Sequence, residues 1–397
     1  METLSLVTTE SLQLTVRDHL QQMPVSKGAA LEFFDSGPGK SIHTFLYFLG
    51  CPVMQLLGIS TNLINVTVFL RAGLSDGMAV TFLGLAGSDL LYNVFYFMGR
   101  LLNAVHTVFE ERPYLNTFHL SYILAKHGRM WFNVSILLTV FAAVQKCACI
   151  AIPLTFRNFF TARKSAITVL AIYVAVVTYF LPFLTLDRLR PYKEQGTNRT
   201  RFGYSLRNAN LASQIGDFVT YANRIILPYV SQGIVIICVV TMTFKLRAAA
   251  QARRKMTSTS DASDADLNDV TSAPEGDRRT TKKSGGSSKT TYGSNNVLSS
   301  KELRVIRSVN ILCGIFIAGT TPQTIIGAFR LAYSEFGDFG RYYSVLTFTQ
   351  GFQQLMEIMS TAVNILVYYH FNSKYRRTFD AIFRHNIEDS NDEKQVT

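Results

Sequence analysis

The sequence predicts an all-α membrane protein: a seven-transmembrane helix bundle with an amphipathic helix after the seventh helix. Two observations support this. The 397-residue chain is 48% hydrophobic and only 17% charged, and its apolar residues are concentrated in long blocks. A helix needs about 20 mostly apolar residues to cross a hydrocarbon core of about 30 Å, and seven blocks reach that length. They are His43–Leu70, Met78–Val105, Ser121–Ile152, Ala166–Leu186, Val219–Leu246, Leu303–Leu331 and Tyr342–Tyr369.

The net charge of +12 limits the classes of function. Most of the basic residues lie between the apolar blocks, which is typical of cytoplasmic loops of membrane proteins and argues against nucleic-acid binding. No soluble domain with a catalytic constellation is visible, so we do not expect an enzyme. All cysteines fall inside or at the edge of apolar blocks, so no disulfide framework is readable. They are Cys51, Cys147, Cys149, Cys238 and Cys313.

The polar segments divide the chain further. Residues 1–42 lack the basic and apolar pattern of a cleaved signal peptide and are expected to be an extracellular N-terminal segment. The seven-transmembrane domain is expected to cover 43–370. Within it, 247–300 is rich in Ser, Thr, Asp, Gly and Lys and is expected to be a disordered third cytoplasmic loop. The same composition predicts a disordered cytoplasmic tail over 385–397.

Residues 371–384 have the pattern of an amphipathic helix. Apolar side chains recur at every fourth position and basic side chains occupy the opposite face, which predicts a helix lying on a membrane surface. A solvated basic tail is the alternative. The apolar positions are Phe371, Tyr375, Phe379 and Phe383, and the basic ones are Lys374, Arg376, Arg377 and Arg384.

The Lys and Arg residues of the loops predict the orientation. The loops after blocks three, five and seven are basic, so they are expected to be cytoplasmic and the N-terminus extracellular. The loop between blocks four and five is also basic and opposes this rule. It contains the sequon Asn198-Arg199-Thr200, however, which favours an outside position and glycosylation at Asn198. We therefore expect a multi-pass protein of the plasma membrane.

Ionisable groups inside membrane helices are expensive and indicate functional sites. Asp89 lies inside block two, and Asn62, Ser135 and Asn364 lie at matching depths in three other blocks. Such a cluster could hold the helices together or bind a cation, and both interpretations stay open.

A second polar set lies nearer the predicted outer face. A water-filled cavity would accommodate it, and Arg129 is a candidate partner for Glu357. The set comprises Arg129, Gln323, Gln353, Gln354 and Glu357. Prolines also interrupt four blocks and permit kinks. They are Pro52, Pro182, Pro228 and Pro322.

Several short motifs occur in order along the chain: "TNLINVTVF", "LAGSDLL", "KCACIAIP", Pro228, "FIAGTTP" and "NILVYY". This ordered set resembles rhodopsin-like (class A) G-protein-coupled receptors, and the resemblance covers His43 to Phe383. Three longer segments resemble most closely gastropod chemosensory-type receptors and invertebrate peptide-receptor-like orphan receptors. They are "NLINVTVF", "GLSDGMAVTFLGLAGSDL" and "NILVYYHFNSKYRRTF".

The resemblance implies roles for the matching residues of the core. Asn62 and Asp89 match the central polar pair of the first two helices. Asp89, Ser135 and Asn364 match members of the family's sodium site, so a sodium ion is expected as an allosteric modulator. Asn364 and Tyr368 match the ends of the Asn-Pro-x-x-Tyr motif.

Other matches concern switching and coupling to a G protein. Phe316 and Pro322 match the switch region of helix six. Lys146, seven residues before Pro153, takes the place of the arginine in the acid-Arg-Tyr motif and is expected to contact the G protein.

The sequence also departs from the family pattern. Gly128 stands where aminergic receptors carry an aspartate, and Ile358 at the retinal-attachment position of opsins, so neither ligand is expected. No outer cysteine pair is present. The remaining departures are Gln145 for the acid and Cys147 for the tyrosine of the acid-Arg-Tyr motif, Ile365 for the proline of helix seven, Thr320 for the tryptophan of helix six, and Ser121 for the outer cysteine of helix three.

These departures shape one prediction about the resting state. Gln145 is neutral and cannot supply the charge that holds the family's arginine inactive. Glu302 lies twenty residues before Pro322, about 30 Å along a helix, at the predicted cytoplasmic end of helix six. We therefore expect an ion pair between Lys146 and Glu302, weaker than an arginine pair because an ammonium is less directional.

By this resemblance, the chain is expected to bind an extracellular small-molecule or peptide ligand and to activate a heterotrimeric G protein in a chemosensory role. Receptor kinases, arrestin and the lipid bilayer are the further expected partners. A neuropeptide receptor, a small transporter and a non-signalling seven-helix protein remain as alternatives.

Overall fold

The computed structural model describes residues 33–34, 37–108, 117–151, 156, 159–193, 200–268, 300–333, 335–336 and 340–383. Nearly all of them are helical. The elements are α1 (Pro38–Phe45), α2 (Cys51–Ala72), α3 (Gly77–Val108), α4 (Thr117–Ala151), α5 (Ala162–Thr185), β1 (Asp187–Lys193), β2 (Thr200–Leu206), α6 (Ala209–Tyr221), α7 (Leu227–Asn268), α8 (Ser300–Ala332), α9 (Tyr343–Ala362), α10 (Asn364–Phe371) and α11 (residues 373–383).

Within these described residues, six helical spans are long and apolar enough to cross a membrane. The prediction of a helical, multi-pass membrane protein is thereby confirmed. The seventh predicted block forms two shorter helices, α9 and α10, which meet at Val363. The six spans are Pro38–Ala72, Gly77–Thr107, Thr117–Ala151, Ala162–Thr185, Gln214–Lys245 and Val309–Ala332.

The side chains are distributed as expected for a protein in lipid. Large apolar residues face outward, and Ile237 on α7 and Leu170 on α5 are 67% and 65% exposed. Buried positions include ionisable groups such as Asp89 and Glu357. Because lipid solvates apolar side chains and not charges, the polar groups gather in the interior of the bundle.

Two of the four prolines follow π-helices. Leu46–Gly50 precedes Pro52, and Ala222–Ile226 precedes Pro228. Proline lacks an N–H and its ring crowds the carbonyl four residues earlier, and a wider π turn relieves both constraints. Pro182 and Pro322 instead lie inside α5 and α8.

Two segments differ from the sequence-based expectations. The helix α7 continues to Asn268, so the first part of the loop expected to be disordered, 247–268, is helical; residues 269–299 lie outside the described part. The strands β1 and β2 form an antiparallel hairpin in which Asp187 pairs with Leu206. The prediction of an all-α chain did not include this hairpin.

The helix α11 is anchored to the bundle by its apolar face. Tyr375 is buried among Phe69 and Tyr368, with ring centroids 5.1 and 5.7 Å away. Its hydroxyl donates a hydrogen bond of 2.6 Å to Asn65 Oδ1 on α2. The backbone N–H of Tyr375 donates to Asn372 Oδ1 at 3.1 Å, which caps the start of α11. Within the predicted amphipathic segment, residues 373–383 thus form a helix docked on the bundle.

Tyr375→Phe is expected to lower the stability of the folded protein by about 1–2 kcal/mol, because Asn65 Oδ1 loses its donor in a buried environment. Tyr369→Phe is the matched control. It removes a tyrosine hydroxyl that donates 3.1 Å to Asp380 in a half-buried position, so its effect should be smaller. The measurement is the thermal unfolding midpoint in lipid nanodiscs, and equal losses for the two variants would contradict the anchoring role of Tyr375.

Candidate functional site

The first polar cluster, the Asp89 cluster, comprises Asp89, Ser135 and Asn364. Ser135 Oγ donates to Asp89 Oδ1 at 2.5 Å, and Asn364 Nδ2 donates to Asp89 Oδ2 at 2.9 Å. The Asp89 side chain is fully buried. One carboxylate therefore joins α3, α4 and α10, and the structure brings together the three residues that were predicted to form a sodium site.

Further amides extend this cluster toward α2. Asn93 Nδ2 donates to Asp89 O at 2.7 Å and to Thr361 Oγ1 at 3.0 Å. Asn62 Nδ2 donates to Thr361 O at 3.2 Å. Asn62 is thus linked to the cluster through Thr361. Asn93 and Thr361 were not predicted, although Asn93 lies one helical turn after Asp89.

A small cavity lies beside the Asp89 carboxylate. It leaves about 20 Å³ for the centre of a water-sized sphere, which is room for one water molecule or one small ion. Ser135 and Thr139 line it together with Asp89, and Phe316 closes it from α8. Carboxylate and hydroxyl oxygens are the ligands that hard cations prefer, so these residues fit a sodium ion.

The second cluster, the Glu357 cluster, comprises Glu357, Arg129, Gln353 and Tyr92. Arg129 Nη1 lies 3.2 Å from Glu357 Oε1, the pairing that the sequence suggested. Gln353 Nε2 donates to the same oxygen at 2.7 Å, and Tyr92 Oη donates to Glu357 Oε2 at 3.3 Å. The Glu357 side chain is fully buried, whereas that of Arg129 is 26% exposed. The carboxylate is therefore satisfied from α3, α4 and α9.

Next to this cluster lies a larger polar cavity, which we call the outer cavity because it lies at the end of the bundle predicted to face outward. It has about 200 Å³ open to the centre of a water-sized sphere. Four of the five predicted pocket residues line it, and the fifth, Glu357, is bonded to two of them. The lining residues are Tyr96, Arg129, Arg224, Gln323, Ile326, Gly327, Arg330, Gln350, Gln353 and Gln354.

Three arginines of this region were not predicted from the sequence: Arg100, Arg224 and Arg330. Each lies within a predicted apolar block. The rule that an ionisable group inside a membrane helix indicates a functional site, which identified Asp89, therefore applies to these arginines as well. Arg100 does not line the outer cavity, but its Nη2 donates to Oε1 of the lining residue Gln354 at 2.6 Å. Its Nη1 donates to Tyr47 O at 2.8 Å.

An ion pair ties the hairpin to the bundle. Lys126 Nζ on α4 lies 2.8 Å from Asp187 Oδ1 on β1, and both side chains are buried. The ammonium also lies 4.2 Å from the centroid of the Phe183 ring. All five cysteines are free. An ion pair thus connects α4 to the hairpin.

At the opposite end of α4, Gln145 is fully buried. Its Nε2 donates to Ser165 Oγ at 2.9 Å, and its Oε1 accepts from Thr81 Oγ1 at 3.0 Å. Gln145 therefore joins α3, α4 and α5. The sequence indicated only that this residue is neutral, and it did not predict these contacts between helices.

The other predicted coupling residues are only partly described. Lys146 is half-buried next to Gln145, and Glu302 lies on α8. The side chain of Glu302 is outside the described part of the chain, so the Lys146–Glu302 pair stays a prediction. Pro153 and Asn198 also lie outside the described residues.

Two of the three predicted switch residues, Phe316 on α8 and Tyr368 on α10, are buried in the core. Phe316 is 8% exposed and lines the cavity beside Asp89, and Pro322 lies inside α8. Tyr368 packs against Phe69 and Phe82, with ring centroids 5.1 and 4.9 Å away. Their roles in switching stay predictions.

The fold and these clusters define a class: a helical, multi-pass membrane protein with a buried polar core and a polar cavity toward one end of the bundle. No family model matches the chain, and no curated protein matches it.

Proposed function

We propose that this chain is a seven-helix receptor similar to rhodopsin-like G-protein-coupled receptors. In this proposal α9 and α10 together form the seventh span, and the N-terminus and the outer cavity face the exterior of the plasma membrane. A ligand bound in the outer cavity favours a state that activates a heterotrimeric G protein at the opposite end.

One observation supports this proposal above the others. A buried polar stripe runs along α9 and α10 from the outer cavity toward the other end of the bundle. Its residues recur every three or four positions, so they share one helix face. They are Gln353, Glu357, Thr361, Asn364 and Tyr368. Buried polar groups are costly in a membrane protein, and a stripe of them favours a signalling path over a passive scaffold.

The contacts along the stripe suggest how a ligand could act. Gln353 lines the outer cavity and bonds Glu357, Thr361 bonds Asn93, and Asn364 bonds Asp89. A ligand changes the equilibrium only by its difference in affinity between states. Gln353, Glu357 and Thr361 lie on the same helix, α9, which leads into α10 with Asn364. A ligand that moves Gln353 would shift this helix and so act on the Asp89 cluster, where Asp89, Ser135 and Asn364 would hold a sodium ion in the resting state.

Glu302→Gln is expected to raise basal G-protein signalling about two- to fivefold, because it removes an ion pair with Lys146 worth about 0.5–1 kcal/mol. Glu335→Gln is the matched control, since it makes the same change in the turn between α8 and α9. Signalling is measured in cells with calcium and cyclic-nucleotide readouts at equal surface expression. Unchanged basal activity in Glu302→Gln would rule out the pair.

The proposal as a whole has a separate test. The wild-type chain is screened against peptides, amino acids and other small molecules with reporters for each G-protein family. If no family is activated although the protein reaches the cell surface, the chain is better described as a non-signalling seven-helix protein. Activation by peptides alone would favour the neuropeptide-receptor alternative.

A further inference from the structure

We infer that the outer cavity binds a small organic anion, whose carboxylate or phosphate group lies among Arg129, Arg224 and Arg330. The inference deepens the proposed function by naming the chemical class of its ligand. It does not depend on signalling, because binding can be measured on the protein alone.

The charge of the lining is the first argument. Among the described residues that line the cavity there are three arginines and neither Asp nor Glu. Glu357, just below, is paired with Arg129. Arginine stays protonated in proteins and offers a planar set of donors that matches carboxylate and phosphate oxygens. The cavity therefore favours an anion over a cation or a neutral molecule.

Buried polar atoms at the cavity are the second argument. Gln323 is 3% exposed, and its Nε2 donates to Asn223 O at 2.9 Å. Its Oε1 has no hydrogen-bond partner among the described residues, and the same holds for Nε2 of Gln350. Both residues line the cavity. Because unsatisfied buried polar atoms are costly, these two are well placed to bond polar groups of a ligand.

The backbone brings two of the arginines to one cavity. Arg224 lies on the π-helix Ala222–Ile226, and Arg330 lies in the last turn of α8. Gly327 on α8 permits the π-helix and α8 to approach closely, since a Cβ at position 327 would lie 2.9 Å from Arg224 O. Any larger residue at position 327 would push the π-helix and α8 apart. The cavity of about 200 Å³ then suits a small molecule.

The experiment measures ligand binding to the full-length protein in lipid nanodiscs and low-salt buffer. The probes are short aliphatic carboxylates, hydroxycarboxylates and phosphomonoesters. Each carboxylate is paired with its uncharged carboxamide, and each phosphomonoester with the parent alcohol. At least one anion is expected to raise the unfolding midpoint in a concentration-dependent manner, while its neutral counterpart does not. The carboxylate and phosphate arms identify which anionic group is preferred.

Variants then locate the site. Arg330→Gln and Arg224→Gln are each expected to raise the Kd of the best anion about ten- to a hundredfold, as for loss of a hydrogen bond to a charged group. Arg330→Lys keeps the charge and should lose less. Arg207→Gln is the matched control, because Arg207 is exposed between β2 and α6 and does not line the cavity; the Kd of this variant should equal that of the wild type.

The inference is overturned if no anion in the panel shifts the midpoint more than its neutral counterpart. It is also overturned if folded Arg224→Gln, Arg330→Gln and Arg330→Lys variants all keep the wild-type Kd. Failure of the proposed function looks different: anion binding without activation of any G protein leaves the inference standing. Activation by a neutral or cationic ligand seated in this cavity would overturn the inference and leave the receptor proposal intact.

Discussion

Arg129→Leu is expected to lower the stability of the folded protein by about 3–5 kcal/mol, the largest effect of any single change proposed for this chain. The substitution leaves the Glu357 carboxylate fully buried without its cationic partner, and an uncompensated buried charge is strongly destabilising. Gln353 and Tyr92 still donate to Glu357, but two neutral donors do not replace a guanidinium. The apparent unfolding midpoint in nanodiscs measures the loss.

A double variant distinguishes this explanation from loss of packing. Arg129 also packs over the Phe132 ring at 5.3 Å, so its removal costs contacts as well as charge. In Arg129→Leu/Glu357→Gln the buried charge is gone, and at least half of the lost stability should return. Glu357→Gln alone serves as the reference for the change from acid to amide. If the two single losses simply add in the double variant, burial of the carboxylate is not the cause.

Asp89 is expected to make the stability of the protein depend on sodium. If sodium binds the Asp89 cluster of the folded protein, it stabilises the fold by about 1.4 kcal/mol when present at about ten times its Kd. The unfolding midpoint should therefore rise in sodium chloride relative to choline chloride at equal ionic strength. In Asp89→Asn this difference should disappear, since the amide lacks the negative charge.

The variants of Asp89 separate ion binding from structural support. Asp89→Leu leaves Ser135 and Asn364 without their acceptor and should cost about 2–5 kcal/mol even without sodium. Asp89→Asn keeps a polar group of the same shape and should cost less. A wild-type protein whose midpoint is the same in sodium and choline would reduce the Asp89 cluster to a structural link between helices.

Residue type alone identified much of the buried polar core. Asp89 and Glu357 stand out because a carboxylate within an apolar block is too costly to leave in lipid. The apolar blocks themselves could be recognised without tertiary information, because the span of a membrane determines how long an apolar run must be. The four-residue spacing of Tyr375 and Phe379 indicated the helix α11, because residues four positions apart share one face of a helix.

Other features depend on contacts between distant residues. Gln145 bonds Thr81 and Ser165, and no pattern near Gln145 indicates either partner. Likewise Lys126 meets Asp187 only because the hairpin folds back onto α4. The π-helix that carries Arg224 precedes Pro228, but Pro182 and Pro322 lie in regular α-helices, so a proline by itself does not predict a π-helix.

The sequence by itself determined that this is a helical membrane protein and which charges must leave the lipid, because both follow from the free energy of each side chain in hydrocarbon. It did not determine the direction in which each helix faces. Arg224 and Arg330 could have extended toward lipid headgroups, as long basic side chains do near helix ends. Packing against neighbouring helices sets the rotation of each helix about its axis. Only the tertiary structure therefore decided that both arginines line the same cavity.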